Sequence, residues 1–222
     1  MTFQNKALEE YLKREILPRY AAFDAAHQLD HATLVMEQSW KLADIVNQSA
    51  AYVNPDGTKT VVDKDMVLTI AAYHDTGLCE GRETHHLVSG RIIREDEALK
   101  QWFTAEEIEI MAQAAEDHRA SSKHAPRSIY GRILAEADRT IEPYDIIKRT
   151  VQFGLGHYPE LDREGNWQRT LDHLHEKYAE GGYLKLWIPE SPNGERLAAL
   201  RAIIKDEPRL REIFDEIWEK LH

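Results

Sequence analysis

The stretch Met66-Val67-Leu68-Thr69-Ile70-Ala71-Ala72-Tyr73-His74-Asp75-Thr76-Gly77 decides the reading of this chain. An almost continuous apolar run leads into an imidazole and a carboxylate side by side. A helix that buries its apolar face and then ends in such a pair presents two metal ligands at an internal site. Gly77 stands where the helix is expected to stop. A lone His-Asp dipeptide is common and carries little weight. Here it gains meaning from the residues around it in order: His31 upstream, then His86, His118 and Asp138 downstream, each in a helical pattern.

Helical periodicity dominates on both sides of this stretch. Residues 3–17 carry Phe3, Leu8, Leu12, Ile16 and Leu17 at three- and four-residue spacing and end at Pro18. Residues 31–53 predict a long helix with Leu34, Val35, Leu42, Ile45 and Val46 on one side, closed by Asn54-Pro55-Asp56-Gly57. Asp63 is placed to cap a helix over 64–76. Residues 84–99 predict another, with Leu87, Val88, Ile92 and Ile93 as its buried stripe. Thr104-Ala105-Glu106-Glu107 reads as a capping box for a helix running to His118. Ser128 starts a helix through Asp138, and Pro143 opens the next. Extended segments are hinted at only by Lys59-Thr60-Val61-Val62 and Tyr183-Leu184-Lys185-Leu186-Trp187. The expected class is all-α: one domain over 1–222, with a core over about 20–145 and a C-terminal helical extension over 155–222 packed on it. The loop Gly154-Leu155-Gly156-His157-Tyr158-Pro159 is the expected seam.

With 222 residues and 42 % hydrophobic content the chain is long enough for a sizeable core. The formal net charge of −11 argues against wholesale binding of nucleic-acid backbone, which needs clustered Lys and Arg. It leaves room for a small phosphorylated substrate, because a bound dication reverses the local sign. No apolar run is long enough to span a bilayer, and the N-terminus has neither the basic start nor the apolar core of a signal peptide. The single cysteine, Cys79, has no partner for an internal disulfide. These features predict a cytoplasmic protein without a membrane partner, and nothing excludes a homo-oligomer.

His27-Gln28-Leu29-Asp30-His31 places two imidazoles four residues apart. A zincin would need Glu where Gln28 stands, so that reading is set aside and His27 is taken as a cap or supporting residue. Asp138 sits in Leu134-Ala135-Glu136-Ala137-Asp138-Arg139, among small and apolar residues. Its ordinary alternative is a helix-end ion pair with Arg139. Two imidazoles and two carboxylates form a mixed N/O donor set that suits Mn, Fe, Co, Ni, Zn or Mg.

The order His31…His74-Asp75…Asp138 resembles the H…HD…D signature of the HD-domain superfamily of metal-dependent phosphohydrolases. Ala135-Glu136-Ala137-Asp138-Arg139 is similar to that family's closing segment. His86-Leu87-Val88-Ser89-Gly90 resembles its additional H-x-x-x-G element, and Glu116-Asp117-His118-Arg119 its additional histidine before the last Asp. The resemblance covers roughly residues 20–145. The helix with His173, His175, Glu176 and Lys177 more weakly resembles the tail of small bacterial HD hydrolases. The GYP signature of cyclic-di-GMP phosphodiesterases is absent after His118, where Arg119-Ala120-Ser121-Ser122-Lys123 stands.

The resemblance implies an HD-domain helical bundle in which His31, His74, Asp75 and Asp138 ligate one divalent metal ion. It implies hydrolysis of a phosphate ester or anhydride of a small metabolite, a nucleotide in the leading case, by a metal-activated water. Three roles are open to His86 and His118: a second metal, phosphate binding or proton transfer, and ordinary core packing. Between the HD pair and His86 lies Glu80-Gly81-Arg82-Glu83. Arg82 is the candidate phosphate contact, because its guanidinium offers a bidentate fork. Glu83 or Glu80 is the candidate to orient or deprotonate the water. Lys123, Arg127 and Arg139 are further phosphate-binding candidates; with Arg82 and Arg132 they are scattered, and no basic face is evident. Two other classes use the same residues: a di-iron oxygenase of HD type and a non-catalytic binding module on the same fold.

Overall fold

The computed structural model describes residues 1–23, 28–54, 56–122 and 124–221; His27 and Lys123, singled out above, lie outside them. The chain is all-α and divides into two compact units, Met1–Arg139 and Thr140–His222.

The first unit is built around α3, Lys64–Tyr73. Asp65 through Tyr73 are all buried, and so are His74 to Gly77 beyond its end. A helix apolar on every side belongs in the centre of a bundle. Here α3 packs against α2 (Leu29–Gln48), α5 (Ala105–Asp117) and α6 (Ile129–Ala137). Asp63 caps α3, its side chain accepting from the Met66 N–H. The buried Asp65 carboxylate accepts from the Gln4 and Asn5 N–H groups at 2.9 Å and pins the start of the chain to α3. The α4 helix, His85–Glu95, packs mainly on α5 and on the 3₁₀ turn Thr76–Glu80.

The N-terminal segment is not one α-helix. After α1 (Lys6–Tyr11) it widens into a π-helix, Leu12–Ile16, and tightens into a 3₁₀-helix, Leu17–Ala22. Leu8, Leu12, Ile16 and Tyr20 are all essentially buried. A four-residue repeat outruns the 3.6-residue α period, and a wide turn keeps the stripe on one side.

Two apolar stripes differ from expectation. In α2 the buried face is Ala32, Val35, Met36, Ser39, Leu42, Ala43 and Val46, while Leu34 is exposed. In α4 it is Val88, Ser89, Gly90 and Ile93, and Leu87 is exposed. In both, small residues take inward positions because neighbouring helices approach closely. The segment Lys59–Val62 contributes only an isolated bridge between Val53 and Lys59, and Tyr183–Trp187 is an irregular connection. A lone short hairpin, with no third strand among the described residues, does not grow into a sheet.

The second unit contains α7 (Pro143–His157), α8 (Arg163–Tyr178), α9 (Asn193–Lys205) and α10 (Glu207–Leu221) around Trp167, Leu174, Leu200, Leu210 and Phe214. The division between units falls at Arg139/Thr140. It precedes the seam expected at Gly154–Pro159, and α7 runs through that Gly154-Gly156 stretch.

The capping box at α5 is complete, with the Thr104 hydroxyl on the Glu107 N–H and the Glu107 carboxylate on the Thr104 N–H. Thr104→Ala removes one half of it and is expected to cost about 1 kcal/mol. Urea unfolding checks this; an unchanged midpoint contradicts it.

Candidate metal centre

Five helix ends converge beside α3, all within the first unit. His74 is the C-cap residue of α3, His118 of α5 and Asp138 of α6. His31 lies in the first turn of α2, and His85 is the first residue of α4. Helix C-termini carry free carbonyls and the negative end of the macrodipole, a setting that favours a cation.

Three of the four imidazoles are held in the same way. The Nδ1 of His74 lies 2.7 Å from the Ala71 carbonyl oxygen, that of His118 lies 2.6 Å from Ala115 O, and that of His85 lies 2.7 Å from Arg82 O. A carbonyl only accepts, so Nδ1 carries the proton and Nε2 is left with its lone pair. Such outer hydrogen bonds orient histidines that ligate metals.

The Nε2 atoms point at one another and at Asp75. His31 Nε2 and His74 Nε2 are 3.3 Å apart, and His85 Nε2 and His118 Nε2 are 3.2 Å apart. Asp75, whose side chain is only 4 % exposed, divides its two oxygens between the pairs. Oδ2 lies 3.2 Å from His74 and 3.6 Å from His31. Oδ1 lies 3.4 Å from His85 and 3.7 Å from His118. Asp138 Oδ1 flanks the first pair, 3.3 Å from His31 and 3.9 Å from His74. Its side chain is 27 % exposed, so Asp75 is the deeply buried carboxylate of the two. Metal–donor bonds of about 2.1 Å put neighbouring donors about 3.0–3.5 Å apart. The observed spacings, 3.2–3.9 Å, run from that range to a little beyond it, and a cation removes the repulsion between the opposed lone pairs of His85 and His118. The residues therefore fit two divalent ions: one held by His31, His74, Asp75 and Asp138, the other by Asp75, His85 and His118.

A family model for the HD domain matches residues 28–141, more than half of the chain. The chain belongs to the HD-domain family. HD domains bind divalent metals and are mostly metal-dependent hydrolases. No curated protein and no solved structure matches the chain. Among the described residues of this HD-domain protein, no helix is long and apolar enough to cross a membrane.

The other residues named from the sequence lie as follows. His86 belongs to neither group; its neighbour His85 takes the place beside His118. His86 lines a separate cleft with Leu87, Glu116, Asp117, His124 and Arg127, where its shielded Nδ1 has no hydrogen-bond partner among the described residues. Burial lowers its pKa, with His85 adding to the effect. The guanidinium of Arg127 is held by Asp117 and Glu116 and is not available to a phosphate at the centre. Glu80 pairs with Arg91. Arg82 and Glu83 are exposed in the turn before α4. Their backbone is anchored, since Arg119 Nη1 donates to the Glu83 carbonyl at 2.6 Å. Arg132 is exposed on α6 and Arg139 is half-buried. His85 had a signal in the sequence: it is three and four residues from the buried Val88 and Ser89.

Gly77 does more than end a helix. Its φ is not positive, and a β-carbon there would lie 2.1 Å from the His85 carbonyl oxygen and 2.6 Å from Ser89 N. Gly77 N–H donates to the buried Ser89 hydroxyl at 2.9 Å. At Gly90 a β-carbon would meet Glu116 Cγ at 2.7 Å and Ala112 O at 2.9 Å. These two contacts seat α4 so that His85 reaches Asp75.

Charge follows from the same packing. Burial alone would lower the His31 pKa, but hydrogen bonds to Asp138 and Asp75 outweigh it and raise it to about 10. Burial pushes His118 down to about 4. Burial also works against ionised Asp75, yet the surrounding imidazoles hold its pKa below the usual carboxylate range.

Gly77→Ala is expected to displace α4 and empty the second group while sparing the first. Metal content then falls from two ions per chain toward one; parent-like content contradicts the seating argument. Proton linkage gives a second check. With its folded pKa raised above the unfolded value of about 6.5, metal-free His31 is charged at pH 7.5. It contributes stability that is complete below the unfolded value and is lost as pH rises through about 10. An ion taking Nε2 must displace that proton. Calorimetry at pH 7.5 in buffers of different ionisation enthalpy should show close to one proton released at the first group. Zero release contradicts the assignment.

Proposed function

We propose that this protein is a metal-dependent phosphohydrolase acting on a phosphate ester or anhydride of a small phosphorylated metabolite, with nucleotides as the leading class. One observation carries the reading: a buried carboxylate, Asp75, shared between two opposed imidazole pairs. When bound there, divalent ions supply a water acidified toward neutral pH and a Lewis acid for a phosphoryl oxygen.

The chain's own residues do the rest. His31, His74, Asp75 and Asp138 hold one ion, and Asp75, His85 and His118 hold the other. The carbonyls of Ala71, Ala115 and Arg82 keep the lone pairs of His74, His118 and His85 aimed inward. Arg82, exposed three residues before His85, binds the non-reacting phosphate oxygens. Glu83, exposed beside it, accepts the proton of the attacking water. Glu80 is the weaker choice for that step, because its carboxylate already pairs with Arg91. The net charge of −11 disfavours polyanions away from the centre.

A second reading is supported by the same donor set. Four imidazoles and a shared carboxylate suit iron, and a di-iron oxygenase would consume O₂ with its substrate and release no phosphate.

The test is a phosphate-release screen over nucleotides and small phosphate esters with Mn²⁺, Co²⁺, Ni²⁺ and Mg²⁺. DNA and RNA binding at moderate salt is measured in parallel. Turnover of a small phosphate with little nucleic-acid binding is expected. Tight, salt-sensitive nucleic-acid binding without turnover, or O₂ uptake without phosphate release, overturns the reading. Within the screen, His85→Ala with His118→Ala should lose about half the metal and roughly 100-fold in activity. His86→Ala should keep both, and equal losses in His86→Ala would reverse the assignment of the second pair.

A further inference from the structure

We propose that Tyr20 is a positioning residue for the metal ligands, its hydroxyl fixing the backbone turn from which the Asp75 carboxylate reaches both imidazole pairs. This rests on the metal-centre reading above.

Tyr20 is completely buried. It is the last member of the stripe Leu8, Leu12, Ile16, Tyr20, delivered to the end of α3 by the change from π- to 3₁₀-helix. Its hydroxyl donates to the Ala72 carbonyl at 3.0 Å and accepts from the Asp75 N–H at 3.3 Å. It also stands 3.5 Å from His74 Nδ1. The backbone leaves α-helical geometry at this point. His74 is still helical, but Asp75 has φ −109° and ψ 5°, and a 3₁₀ turn begins at Thr76. One hydroxyl thus spans the break and ties the last turn of the helix to the residue that departs from it.

The ring and the hydroxyl have separate tasks. The ring fills space, meeting Phe23 edge-on with centroids 5.4 Å apart, and a phenylalanine ring would fill it equally well. The ring also lies beside the His74 ring, with centroids 6.3 Å apart, but only the oxygen hydrogen-bonds to the backbone of the turn. Without it, the Ala72 carbonyl and the Asp75 N–H lose a partner in a buried setting, which favours a shifted turn. Asp75 Oδ1 and Oδ2 lie 3.2–3.7 Å from four different imidazoles. A small rotation at Cα therefore disturbs both groups together, unlike the loss of a ligand from one of them.

The experiment compares Tyr20→Phe with Tyr73→Phe. Tyr73 is the matched control: its buried hydroxyl bonds to Asp96, away from the centre. Helical content is read by circular dichroism. Co²⁺ is then titrated into each metal-free protein, following affinity and the visible ligand-field spectrum. Tyr20→Phe should remain helical, weaken Co²⁺ binding about tenfold or more at both groups, and change the spectrum. Tyr73→Phe should match the parent. Parent-like Co²⁺ affinity and spectrum in Tyr20→Phe overturn the proposal while leaving the metal centre intact. So does an equal loss in both variants, or a loss of helix in Tyr20→Phe alone, which would assign the hydroxyl to the fold. A parent that binds no Co²⁺ removes the metal-centre reading and the proposal with it.

Discussion

Asp75 is a carboxylate nearly sealed from solvent, and its two oxygens face four imidazoles at 3.2–3.7 Å. Burying an ionised carboxylate is costly unless cationic or hydrogen-bonding partners surround it. A protonated His31 supplies part of that in the metal-free protein, but His85 and His118, with Nδ1 on the Arg82 and Ala115 carbonyls, turn Nε2 lone pairs toward each other and toward Asp75. A cation on each side resolves both problems at once. Much of the first unit serves this arrangement. The all-buried α3 brings the carboxylate inside, and three helix C-termini surround it with carbonyls.

The two halves of the centre are built differently. The first has a second carboxylate, Asp138, and a histidine, His31, whose pKa is raised by both acids. The second has only the shared oxygen of Asp75 and depends on the seating of α4. That seating rests on close approach at Gly77 and Gly90. It also rests on Arg119, which holds the turn that carries the Arg82 carbonyl. Fewer charged donors and a more adjustable support make the second group the one more sensitive to remote substitutions.

The sequence made the all-α class legible because the apolar stripes of α3, α5 and α6 have clear starts at Asp63, Thr104 and Ser128, all three of which accept cap hydrogen bonds. His31, His74, Asp75 and Asp138 were legible as an ordered set, and the structure brings them together. What was hidden lies where helices pack on small residues. Periodicity counts apolar side chains, so Leu87 read as buried and Ser89-Gly90 did not. That misphased α4; His86 was singled out separately, by its resemblance to an H-x-x-x-G element, and the structure places His85 beside His118. Arg127 read as a cation for phosphate because its partners, Asp117 and Glu116, lie on another element across a turn. The π-helix at Leu12–Ile16 hid Tyr20 for a similar reason, since Pro18 suggested that the helical segment had already ended.

The central claim is that Asp75 is the shared ligand of a two-ion centre. Metal content per chain, measured by elemental analysis on the parent and on Asp75→Ala after equilibration with Co²⁺ or Mn²⁺, tests it most directly. The account predicts close to two ions in the parent and nearly none in a variant that keeps its helical content. Parent-like metal content in Asp75→Ala would contradict it.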